Sequence, residues 1–194
     1  MAYEATKFNL PELKGLSQKQ LEVHLGLYAG YVKFLNTLEQ VIADLKKDSE
    51  KNAYALSEVQ RRRGFEFDGM RMHEYYFGGF ENGFQEAQSS SLVKALENQY
   101  GNFDNWVAEF KATGMMRGIG WAILYHDPIG KQFHNAWVTD HELGQLAGLP
   151  IILAMDMWEH AYMVDYVPSE KKNYIEAFFS NLSWQTLEER YTAI

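Results

Sequence analysis

The chain of 194 residues contains no cysteine. That absence excludes disulfide scaffolds, cysteine-based zinc sites, iron–sulfur clusters and thiol nucleophiles together. Positive charge is scarce: 18 Lys and Arg stand against 26 Asp and Glu, a formal net charge of −8. A chain this acidic is not expected to bind nucleic acid or an anionic membrane surface. Long apolar runs are missing too. The longest, Leu149 to Met155, is far short of the ~20 residues of a membrane-spanning helix. Met1 to Leu10 carries Glu4 and no apolar stretch, so no signal peptide is expected and a cytoplasmic location follows. Gly118-Ile119-Gly120 lacks the third glycine of a dinucleotide fingerprint, and there is no Walker loop and no Gly-x-Ser-x-Gly elbow. His141-Glu142 is followed by Gln145 where a zincin needs its second His. No His has a Glu three residues before it, which excludes the Glu-x-x-His pairs of di-iron bundles.

What is present is a core. Apolar residues make up 46% and aromatics 15%, enough for one domain with at most two lobes. Leu21, His24, Tyr28, Tyr31, Leu35, Leu38, Ile42 and Leu45 recur at steps of three and four behind Ser17, predicting a long helix with Ser17 as its N-cap. A second helical region runs over about 53–77, with Gly64 and Gly69 as places where it could break. Two amphipathic segments follow, 92–100 and 103–116. Trp121–His126 and Lys131–Val138 flank Asp127-Pro128-Ile129-Gly130, a hairpin signal, and 149–155 reads as a buried strand. Pro168 opens a final helical pair, to about Phe179 and then Trp184–Tyr191. The expected fold class is α+β. A helical hairpin lobe (1–85) precedes an α/β lobe (86–194) with a small three-stranded antiparallel sheet, the hinge falling near 81–90.

With sulfur excluded, any metal must be held by His, Asp or Glu. Asp156 and His160 follow the buried strand and are flanked by Trp158 and Tyr162; strand ends are where sites are built, although a cap or an ion pair would look the same. His73 ends an aromatic helix segment and His24 lies on the apolar face of the first helix; either could be a hydrogen-bonded core residue. Three imidazoles with one carboxylate would suit a first-row ion such as Fe or Mn rather than Ca or Mg.

These segments together resemble the iron/manganese superoxide dismutase family. Asp156-Met157-Trp158-Glu159-His160-Ala161-Tyr162 is similar to its D-x-W-E-H-A-Y signature, Gly118-Ile119-Gly120-Trp121 to its G-x-G-W segment, and His73-Glu74-Tyr75-Tyr76-Phe77 to H-x-x-[FY]-[FW]. His24 and Tyr31 match the first ligand and the gateway tyrosine. The resemblance implies dismutation of superoxide on one Fe or Mn ion per chain, held between the lobes by His24, His73, Asp156 and His160. It implies catalytic roles for Tyr31 and for a hydrogen-bond donor beside the ion. The family often draws that donor, a Gln, from four residues before the second His ligand; Gly69 stands there, so the role falls to His141. Tyr76, Phe77, Trp121 and Trp158 would form the aromatic shell. Glu159 would bridge to His160 of a second subunit in a homodimer, with Tyr162 beside that bridge.

Two departures stand out. Tyr28 and Ala29 replace the usual His residues after the first ligand, and one residue is missing between His24 and Tyr31, which predicts a regular first helix with no bulge. Lys171 is the nearest match to the family's Arg after the W-E-H motif. An inactive relative serving as a metal-binding or structural subunit is the alternative, and such proteins are usually marked by lost ligands.

Overall fold

The computed structural model describes residues 2–87 and 90–194. Helix α1 (Gln18–Leu45) begins where Ser17 accepts the Gln20 backbone N–H at 3.0 Å, the expected cap. It is α-helical throughout, with no bulge between His24 and Tyr31. Helix α2 (Ala53–Gly78) runs through both suspected break points. Its glycines serve close packing instead. A Cβ on Gly64 would lie 2.8 Å from a Glu142 carboxylate oxygen, and one on Gly69 would lie 2.5 Å from the Tyr31 ring. The two long helices form an antiparallel hairpin. The expected hinge at 81–90 includes Gln88 and Ser89, which lie outside the described residues.

Helices α3 (Ser91–Tyr100) and α4 (Phe103–Gly114) lead into the sheet of β1 (Gly120–Asp127), β2 (Gln132–Thr139) and β3 (Ile151–Asp156). Helix α4 stops before the expected 116, and β3 starts after Pro150, which cannot donate to a strand ladder. The order is β2-β1-β3, all antiparallel. In the hairpin turn the Asp127 carboxylate accepts the Ile129 N–H at 2.9 Å. Gly120 has φ 151°, and a Cβ there would strike the Val138 carbonyl, so only glycine lets β1 start beside β2. The register sets Trp121 opposite Asp156. Helices α5 (Lys171–Phe179) and α6 (Trp184–Thr192) close the fold.

Polar tethers bind the helical hairpin to the sheet lobe. Gln20 on α1 donates to the His160 carbonyl (2.7 Å) and accepts the Val164 N–H (3.0 Å). Asn181 exchanges two hydrogen bonds with the Lys14 backbone, at 2.8 and 2.9 Å. Arg190 on α6 donates to the Ile152 carbonyl in β3 and the Tyr75 carbonyl in α2, both at 3.0 Å. Burial pushes its guanidinium down to about 10, which leaves it charged at neutral pH. Arg190→Met keeps the apolar stem but removes the guanidinium donor from both carbonyls, of which that of Tyr75 keeps the Gly79 N–H. It should cost about 2–3 kcal/mol of stability, read as a lower urea midpoint at unchanged slope.

Candidate metal centre

Each arm of the fold delivers one or two donors to a single point. His24 comes from the buried face of α1 and His73 from the last turns of α2. Asp156 ends β3, and His160 follows it on a short 3-10 turn, Glu159–Ala161. One ligand atom from each of these four residues lies within 4.8 Å of the others. The Nε2 atoms of His24, His160 and His73 stand 3.0, 3.2 and 3.4 Å from Asp156 Oδ2. His24, His73 and Asp156 are buried and His160 is partly so.

The chemistry of this set fits a cation. His73 Nδ1 is 2.5 Å from the Gly69 carbonyl, an acceptor only, so Nδ1 carries the proton and Nε2 presents a lone pair. That Nε2 is buried and has no hydrogen-bond partner. Burial holds the His73 ring well below its ordinary pKa and lowers His24 as well, which favours the neutral imidazole that a metal ion requires. Burial alone would raise the Asp156 carboxyl; its interactions with the His160 and His24 rings that face its oxygen outweigh burial and keep it below the ordinary carboxylate range. The carboxylate is clamped from behind. Its Oδ1 accepts the Trp158 N–H at 2.8 Å, and the Asp156 carbonyl accepts the Tyr174 hydroxyl at 2.7 Å. A buried, unpartnered lone pair beside an ionised carboxylate is a costly arrangement unless a metal ion completes it.

Aromatic rings enclose the point. Tyr76 and Phe77 lie 4.9 and 4.8 Å from His24, Trp121 lies 5.1 Å edge-on to His73, and Trp158 stacks on His160 at 5.6 Å. His141 is fully buried, not a surface-loop residue. Its Nδ1 accepts the Trp121 indole N–H at 2.9 Å, and its Nε2 is 2.7 Å from the Tyr31 hydroxyl. An indole nitrogen only donates, so a neutral His141 must carry its proton on Nε2 and donate it to Tyr31. Burial pushes His141 down to about 4, which keeps it neutral. Burial, aided by the negative charge of Asp156, raises the Tyr31 hydroxyl well above its ordinary range. Tyr31 can lie here because Gly69 leaves room for its ring against α2.

Several partners of the site are not legible in the sequence alone. Gln145 donates to the His141 carbonyl at 3.0 Å and accepts the Tyr125 hydroxyl; its place four residues after His141 was the available signal. Tyr174, behind Asp156, gave no local signal. Lys171 does not reach the site: its amine donates to the Met116 carbonyl at 2.8 Å and lies 5.4 Å from the Trp137 ring centre. Glu159 is exposed, while Tyr162 is buried and stacked on Tyr174 at 5.1 Å.

Comparison with known proteins gives the same picture. Residues 88–190 match the family model described as iron/manganese superoxide dismutases, C-terminal domain. A "Superoxide dismutase [Fe]" of Cupriavidus metallidurans is 32% identical over 94% of this chain and 91% of its own. One of Aquifex pyrophilus is 33% identical over 92% of this chain and 85% of its own. A "Superoxide dismutase [Mn]" of Haloarcula marismortui is 33% identical over 84% and 79% respectively.

Proton linkage gives a direct check on the buried rings. The unfolded chain protonates His141 near its ordinary ~6.5, whereas the folded chain does not until about 4. Its contribution is therefore complete above about pH 6.5 and is lost as pH falls, at about 1.4 kcal/mol per pH unit. His24 and His73 act in the same direction. Urea unfolding of the metal-stripped protein between about pH 7 and 4.5 should show this decline, and His141→Gln should flatten it by one residue's share.

Proposed function

The chain belongs to the iron/manganese superoxide dismutase family, and from that premise we propose that His24, His73, Asp156 and His160 hold its metal. The protein is a superoxide dismutase with one iron or manganese ion. When bound, that ion supplies the one-electron redox cycle that disproportionates superoxide to dioxygen and hydrogen peroxide. The observation that carries the assignment of ligands is the convergence of three imidazole nitrogens on one oxygen of Asp156, with the His73 lone pair unpartnered. An inactive relative would be marked by a broken donor set; here the set is whole.

The remaining roles fall to groups of this chain. Trp121 fixes the His141 tautomer, and His141 Nε2–H then donates to the Tyr31 oxygen. The Tyr31 proton is thereby freed to point into the opening beside it, where a reduced oxygen species needs protons. Its raised pKa keeps that proton in place at neutral pH. Trp158, Trp121, Tyr76 and Phe77 keep bulk water from the donors.

The reading extends to assembly. The helical hairpin lobe, 1–85, supplies His24 and His73, and the α/β lobe, 86–194, supplies Asp156 and His160, so the metal joins the two into one functional unit. The active form is a homodimer in which Glu159 of each subunit bridges to His160 of the other. Support comes from the exposure of Glu159, for which no ion pair occurs among the described residues, and from exposed Met163 and Val164 nearby. No helix of the described residues is long and apolar enough to cross a membrane, and the proposed site of action is the cytoplasm.

The protein reloaded separately with iron and manganese should dismute superoxide in at least one form; full occupancy without activity in either would overturn the assignment. Asp156→Ala should abolish metal retention. His141→Ala should keep most of the metal and lose roughly 10²- to 10⁴-fold in kcat, the range typical of a lost proton-handling group. Glu159→Ala should move the sedimentation coefficient from dimer towards monomer; a wild-type monomer with full activity would discard the bridge.

A further inference from the structure

We propose that Arg62 is the residue that draws the anionic substrate to this site, the positive end of an Arg62–Glu66 pair that lines the same opening as Tyr31. The inference rests on the dismutase reading, which makes the substrate a small anion that a chain of net charge −8 must attract locally. Lys171, the nearest match to the family's Arg after the W-E-H motif, is turned onto the Met116 carbonyl. The opening above Tyr31 has a volume of about 390 Å³, and Leu27, Tyr31, Phe34, Phe65 and Trp158 are among its walls. Among the described residues, Arg62 is the only cationic one lining it and Glu66 the only anionic one.

The local geometry turns that cation outward. The Arg62 guanidinium lies 3.6 Å from the centre of the Phe65 ring. The same ring is 4.6 Å from His141 and 6.1 Å from Tyr31. Arg62 Nε pairs with Glu66 Oε1 at 3.1 Å. The Glu66 side chain is only 11% exposed and that of Arg62 54%, so the carboxylate sits within and the guanidinium faces solvent. An anion entering the opening meets the positive end of this dipole first. Only Nε is used by Glu66, and no hydrogen bond of the terminal guanidinium nitrogens occurs among the described residues. Stacking on Phe65 holds the charge without neutralising it. The positive charge reaches the proton network: it works to lower the pKa of both Tyr31 and His141, against burial for Tyr31 and with burial for His141. At Tyr31 the negative charges of Asp156 and Glu66 outweigh it and Asp140 adds to them, so the field of Arg62 prevails towards the mouth of the opening and not at the hydroxyl.

The test is kcat/KM against ionic strength for metal-loaded wild type, Arg62→Lys, Arg62→Gln, Arg62→Glu and Glu66→Gln, with azide affinity of each read from the metal's absorption spectrum. At low salt Arg62→Gln should lose roughly 3- to 10-fold in kcat/KM with kcat little changed, and the difference should close above about 0.5 M salt, where the screening length falls to a few Å. Arg62→Lys should retain most of the rate, Arg62→Glu should fall below Arg62→Gln, and Glu66→Gln should exceed wild type. Azide should bind more weakly to Arg62→Gln. The proposal is overturned if Arg62→Gln keeps the wild-type salt dependence and azide affinity at full metal occupancy. It is equally overturned if the loss persists at high salt and Lys fails to restore it, since that pattern marks packing. Wild-type protein without dismutase activity would sink the enzyme reading alone, and the azide series would still decide the role of Arg62.

Discussion

A single carboxylate oxygen, Asp156 Oδ2, faces three imidazole nitrogens, two of them on fully buried rings. Neither charge nor lone pair is tolerated in such a place without compensation, and most of the surrounding structure supplies it. The backbone N–H of Trp158 and the hydroxyl of Tyr174 fix the aspartate from two sides. The β1–β3 register brings Trp121 opposite it, and Trp121 in turn orients His141. The helical hairpin contributes the other two imidazoles, so both lobes depend on this point for their polar satisfaction.

From that constraint the direction of a hydrogen-bond chain follows. A ring buried deeply enough to stay neutral has one proton and one lone pair, and the indole of Trp121 decides which nitrogen carries which. The order Trp121 to His141 to Tyr31 therefore has a fixed polarity. It runs from the sheet to the mouth of the site, and Gln145 holds its middle member by the main chain. Aromatic residues are both the wall and the wiring of this centre.

Much of this was readable in one dimension because the signals are local. Ser17 and the three-to-four spacing behind it specify α1; Asp127 to Gly130 specifies the hairpin; the run from Asp156 to Tyr162 carries half of the donors. What could not be read depends on contacts between distant segments. Gly64 and Gly69 look like helix breaks until Glu142 and Tyr31 are seen packed against them. Arg62 looks like one more solvated charge in Arg61-Arg62-Arg63 until its guanidinium is found above Phe65, and Lys171 looks well placed until its amine is found elsewhere. The start of β3 was set by Pro150, whose effect on a ladder was visible, although its exact reach was not.

Gly69 has a steric consequence. The Tyr31 ring occupies the volume that a side chain at position 69 would need, with ring carbons at 2.5 and 2.7 Å from a hypothetical Cβ. A glutamine placed there would therefore push Tyr31 off His141 even though His141 itself is untouched. The α2 side of the pocket and the Tyr31–His141 hydrogen bond thus compete for one space, and a polar group can be gained at 69 only where the tyrosine ring is given up or moved.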